Sequence, residues 1–157
     1  MLADSALLRH TVATIAYRGG KALRNAPSEF AAFRIGEGTR TPARILAHIC
    51  DVLDWAARLA RGEQTWIEAV PQAWDEDVER FFACLGKLDS ILADDALRCS
   101  AEQLFQGPIA DVLTHVGQLT MLRRLAGSPI RGENYFRSEI AAGRVGSEQA
   151  PPKREFD

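Results

Sequence analysis

From Asp4 to about Arg24, the residues Leu8, Val12, Ile15, Gly19 and Leu23 recur at intervals of three and four. That spacing sets them on one stripe of an amphipathic helix, facing a core. Gly19 and Gly20 weaken the helix locally, but a glycine on the inner face also lets a second helix approach closely. His10 and Tyr17 fall on the opposite side, where a solvated histidine is expected. Asn25 to Arg40 is a long connection broken by Pro27, Gly36 and Gly38. Loops of that length commonly fold over a site or tie across a core, and Phe30, Phe33 and Ile35 call for burial in either case.

Thr41-Pro42 opens a second helix, with Thr as the cap and Pro in the first turn. It runs to about Arg61, ahead of Gly62. Ile45, Ile49, Val52, Leu53, Ala56 and Leu59 form its inner face; Arg44, Asp51, Asp54, Arg58 and Arg61 form the outer one. His48 lies on the inner edge, beside Val52 and Trp55, whereas Cys50 lies off the inner face. Trp66, Ile67 and Val70 in the connector Gln64–Pro71 are expected to pack. A third helix spans about Gln72 to Ala93, with Trp74, Val78, Phe81, Phe82, Leu85, Leu88 and Leu92 on one face. Its early acids suit the positive end of the helix dipole and have a structural reading.

The fourth helix is predicted between Gly107 and Gly127, starting at Pro108 after a short turn at Ala101–Leu104. At about 100° per residue, Asp111, His115, Gln118 and Leu122 share one sector, and Thr120, Arg123 and Arg124 the other. Long cationic chains go to water, so the arginine side is expected outside and Asp111, His115 and Gln118 inside. Ile109, Val112, Leu113, Val116 and Leu119 make a second apolar stripe that needs cover from neighbouring helices or from a second subunit. Beyond Gly127, Asn134–Ala142 is expected to form a short helix packing Tyr135, Phe136 and Ile140, and the chain past Gly143 to be an extended polar arm. No strand pattern is evident. The expected architecture is an all-α four-helix bundle over residues 1–143, with an irregular arm at 144–157.

Composition narrows the function. The chain has 157 residues, 46% hydrophobic and 25% charged, with a net charge of −2. One domain with a sizeable core follows. The balance gives no electrostatic case for nucleic acid. There is no apolar run long enough for a membrane span and no secretory leader pattern. Three cysteines without a paired spacing, Cys50, Cys84 and Cys99, suit free thiols, and a cytoplasmic protein is the expectation.

Buried carboxylates need a partner or a metal. Asp111 and His115, one helical turn apart, can aim at one ion, and His48 supplies a second imidazole from another helix. Two imidazoles and a carboxylate leave coordination positions open, as catalytic sites do. The set does not choose among Zn, Ni, Fe(II) and Mn. An Asp–His hydrogen bond with no ion is the competing reading.

At ILAHICDVLDWAARL on the second helix and DVLTHVGQLTMLRRLAG on the fourth, the chain resembles the DinB-like, or YfiT-like, superfamily of metal-dependent bundles. Those proteins have four main helices. Their usual ligands are one His on the second long helix and a His-x3-His pair on the last, often followed by Arg-Gly-Gln. His48 matches the first ligand and His115 the second His of the pair, ahead of Gly117-Gln118. Asp111 stands where the pair's first His is usual, and Val116 where the Arg is usual. The resemblance implies a divalent metal on His48, Asp111 and His115. It also implies possible use of a low-molecular-weight thiol by a transferase or isomerase.

Two functions are therefore expected. In the first, the chain is a metal-dependent enzyme acting on a small molecule, its ion generating a thiolate or hydroxide nucleophile, with Gln118 orienting a ligand or simply bonded to a neighbouring helix. In the second, it is a non-catalytic association module. A homodimer is expected on the strength of the second apolar stripe.

Overall fold

A computed structural model describes residues 3–94 and 97–157. Four helices form a bundle: α1 (Ala3–Leu23), α2 (Pro42–Ala60), α3 (Trp74–Ala93), and α4, an interrupted rod made of Ala101–Leu104, a wide π-helical turn over Phe105–Ile109, and Ala110–Leu125. α3 packs on both α1 and α2, and α4 packs on the same two helices. The order round the bundle is therefore α1, α3, α2, α4. This makes α2 and α4 direct neighbours along one edge.

The stripes read from spacing are the ones that fill the core. Val12, Ile15, Ile49, Leu53, Phe81, Leu85, Leu88 and Leu92 are at most 1% exposed, and Leu46, outside the predicted stripe, is buried with them. Phe81 presses on Gly19, where an added Cβ would lie 2.6 Å from the ring's Cζ. The inner-face glycine thus admits the aromatic of a neighbouring helix. Thr41 caps α2 through its side chain, which accepts from the Arg44 amide at 3.3 Å, and Gly62 ends it at φ +84°. Phe30 sits in a short 3-10 turn (Ser28–Ala32) of the first connection. It is buried edge-on against Trp74, with ring centroids 5.6 Å apart, so this loop closes one end of the core.

Several expectations give way. The fourth helix starts at Ser100, whose hydroxyl accepts from the Gln103 amide at 3.2 Å, and not at Pro108. A proline inside a helix lacks its N–H and crowds the carbonyl four residues back; the widened turn around Pro108 lets the rod continue past it. Asp51 and Cys50, placed outside by the α2 pattern, are buried. Asp51 accepts from Arg80 Nη2 at 2.7 Å and from the Ala69 amide at 3.3 Å. The Cys50 thiol donates to the Asp77 carbonyl at 3.4 Å. Of the connector residues expected to pack, Trp66 rests partly covered against the Trp55 ring, whereas Ile67 and Val70 are exposed.

Arg123 is 5% exposed, although it was assigned to water. Its guanidinium caps the end of α1, with Nη1 donating to the Ala22 and Arg24 carbonyls at 2.9 and 3.0 Å. Nε donates to the Ser128 carbonyl at 2.8 Å. A helix C-terminus with free carbonyls is a place where a cation can be buried and satisfied.

The C-terminal segment is neither a helix nor a free arm. Gly132–Glu133 and Glu155–Phe156 form a two-stranded antiparallel ladder, with Gly132 opposite Phe156. Tyr135–Arg137 is a single 3-10 turn, from which Phe136 projects into solvent. The returning chain covers the face of α1 that was expected to be solvated. Tyr17 is buried there, and its hydroxyl donates to Glu133 Oε1 at 2.6 Å. Lys21 bridges Glu133 and Glu155 at 3.3 and 2.9 Å. Burial, and then the bond to Glu133, push the Tyr17 phenol up to about 12.

The apolar stripe of α4 packs into the chain's own core, fully except at Leu113, which is partly buried. Ile109, Val112, Val116 and Leu119 are at most 4% exposed. Among the described residues no helix is long and apolar enough to cross a membrane, and the three cysteines are free thiols.

Candidate metal centre

The adjacency of α2 and α4 brings His48, Asp111 and His115 together. The Thr41-Pro42 start fixes the helical phase of α2, and that phase carries His48 to the edge facing α4. On α4 the i, i+4 spacing stacks Asp111 and His115 on the matching edge. One ligand atom from each residue lies within 4.8 Å of the other two. The two imidazoles meet edge to face, with centroids 4.8 Å apart. Both turn Nε2 toward the same carboxylate oxygen, Asp111 Oδ2, at 3.7 Å from His48 and 3.4 Å from His115.

Those distances exceed a good N–H···O hydrogen bond of about 2.7–3.2 Å. The three residues therefore converge without being bonded to one another, which disfavours the ion-free Asp–His pair. Gln118 adds a constraint. Its Oε1 lies 2.7 Å from His115 Nδ1. In the neutral ring, with the amide oxygen as acceptor, Nδ1 carries the hydrogen, and that tautomer leaves the Nε2 lone pair toward Asp111. An outer partner of this kind is what orients ligating histidines in metal sites.

The site is not the interior position that the helix 4 sector suggested. The Asp111 side chain is 46% exposed and that of His48 28%, while His115 is 12% exposed. The inward assignment rested on an outward arginine side, and Arg123 is buried instead. The triad lines a seam open to solvent between two helices, a better place for a site that exchanges ligands. The His48 imidazole is held below its ordinary pKa by burial, by His115 and by Arg40, against a smaller opposing pull from Asp111. It is thus kept in the neutral form that ligates metals. Among the described residues, two imidazoles and a carboxylate with lone pairs on one point form a donor set that fits a divalent cation.

Residues that spacing did not assign complete the surroundings. Trp66, from the connector after α2, lies with its ring centroid 6.0 Å from that of His48 and 5.8 Å from that of Trp55. Arg40 stands just before the α2 cap and lines the cleft that holds His48. A cavity of about 510 Å³ opens beside His115 and Gln118, walled by Ile35, Met121 and Leu125. The only sequence signals for these were unspent aromatic and apolar residues in connections and on the exposed side of α4. His10 is exposed, and no cysteine belongs to the group.

No family model matches the chain, and neither the curated proteins nor the solved structures give a match.

Proposed function

We propose that the protein is a metal-dependent enzyme acting on a small molecule, with His48, Asp111 and His115 as the metal ligands. The observation that carries this is the convergence of three lone-pair donors, unbonded to each other, on one solvent-accessible point beside a small-molecule-sized cavity. The resemblance to the DinB-like bundles at the α2 and α4 motifs agrees with it. A divalent ion bound there supplies Lewis-acid polarisation and lowers the pKa of a water or a small thiol.

The chain's own residues account for the rest. Gln118 holds the His115 ring so that Nε2 faces the shared point. Asp111 supplies a carboxylate oxygen between the two imidazoles. Trp66 flanks the His48 ring, and the open seam admits the reactant. Reaction type divides between S-transfer or isomerisation with a low-molecular-weight thiol and attack by water. Zn, Ni, Fe(II) and Mn all suit the donor set.

Equilibrium dialysis with each of these metals tests the proposal. One equivalent should bind tightly to at least one of them. Asp111→Ala should weaken uptake about as much as either His→Ala, because both rings face the same Oδ2. Equal uptake after His48→Ala plus His115→Ala, or none in the wild type, would remove the basis for the enzyme reading.

A further inference from the structure

We infer that the cavity beside the triad selects an anionic amphiphile: a small carboxylate whose charged end lies at Arg40 and whose hydrocarbon body lies along α4. This rests on the proposed function only in taking the neighbouring triad as the reactive centre.

The first observation is the wall. Ile35, Met121 and Leu125 are 53%, 58% and 54% exposed, yet all three line the same concavity of about 510 Å³. Buried Ile45 and Leu122 form its floor. Large apolar side chains left at solvent around one concave site mark a binding surface. The volume lies in the range of small-molecule sites, which favours a compact ligand over a docked helix.

The second observation is the charge. Arg40 lines this cavity and also the neighbouring cleft containing His48, so it spans the two. Arg40 is exposed and, among the described residues, makes no ion pair, so its guanidinium is open to a ligand. A guanidinium on the lining of an otherwise mostly apolar cavity is suited to a carboxylate, which it can hold through two parallel N–H···O bonds. His115 and Gln118 lie on the cavity lining as well. A ligand that fills this cavity with its carboxylate on Arg40 therefore lies against α4, beside His115 and with Leu125 on the same wall.

Isothermal titration with octanoate, butyrate, octylamine and 1-octanol tests this on the full chain, both chelator-treated and zinc-equilibrated. Each methylene withdrawn from water is worth about fourfold in affinity, so in a partly open cavity octanoate should bind at least about tenfold tighter than butyrate. It should also bind more tightly than octylamine. Arg40→Gln should lower octanoate affinity at least about fivefold and leave 1-octanol unchanged. Leu125→Gln, at an exposed position at the end of α4, should shrink the octanoate–butyrate gap. Those results in chelated protein support the ligand class even where dialysis finds no metal, so the two proposals fail separately. Equal binding of octanoate and butyrate, or no effect of Arg40→Gln, overturns the inference. So does sedimentation as a dimer that Leu125→Gln dissolves, because that assigns the apolar rim to a second copy of the chain.

Discussion

Gly19→Ala should destabilise the native protein and stabilise a Phe81→Ala variant. The Cβ added at Gly19 would meet Phe81 Cζ at 2.6 Å and the two Cε atoms at 3.3 and 3.4 Å. Phe81 has no room to retreat, since it is fully buried and its ring stacks edge-on against Phe82 with centroids 5.0 Å apart. Overpacking of this kind costs about 1–3 kcal/mol. Replacing a mid-helix glycine by alanine returns about 1 kcal/mol of helix propensity. The net in the wild type is a loss of up to about 2 kcal/mol. Phe81→Ala alone should cost about 3–5 kcal/mol. In that background the clash is gone and the propensity gain remains, so Gly19→Ala should add about 1 kcal/mol. Urea unfolding of the four proteins, with a common slope, gives the cycle directly. If Gly19→Ala shifts stability by the same amount and sign in both backgrounds, the α1–α3 contact is not what the close approach implies.

Arg123→Met should cost about 2–3 kcal/mol, because it withdraws a charged donor from the carbonyls that end α1; a change within a few tenths in urea unfolding would contradict that role. Tyr17 links stability to alkaline pH. Its folded value of about 12 lies above the ~10 of an unfolded phenol. The contribution is therefore whole below pH ~10 and is lost as pH rises through the folded value. Tyr17→Phe should flatten the fall in stability between those limits, and an unchanged alkaline limb would refute the link. Cys99 should react with iodoacetamide well before Cys84 and Cys50, since it alone is not buried, and all three should react after unfolding. Peptide mass spectrometry reads the order, and Cys50 labelling first would show that the core assignment is wrong.

Most of the bundle was legible because its helices carry clean three- and four-residue stripes and, at Thr41-Pro42, an explicit start. The failures share a cause. Tyr17, Asp51 and Arg123 are buried polar groups whose partners lie far away in the chain, at Glu133, Arg80 and the end of α1. Periodicity reports polarity and cannot see such partners. The ladder of Gly132–Glu133 with Glu155–Phe156 has two residues per strand, too short for any alternation to register. Pro108 resembled a helix start because a π turn around a proline leaves no pattern of its own. The triad was found partly for an incorrect reason. Asp111 and His115 do share an edge, but that edge faces an open seam, and the buried arginine lies on the side taken to be exposed. What the sequence lacked was the α1, α3, α2, α4 order, which makes the His48 and His115 edges neighbours.

Anomalous scattering from crystals equilibrated with zinc, recorded at the zinc edge, tests the central claim most directly. The account predicts one strong peak bounded by His48 Nε2, His115 Nε2 and Asp111 Oδ2, absent from crystals of His48→Ala plus His115→Ala protein. No peak there, with either imidazole instead hydrogen-bonded directly to Asp111, would contradict it.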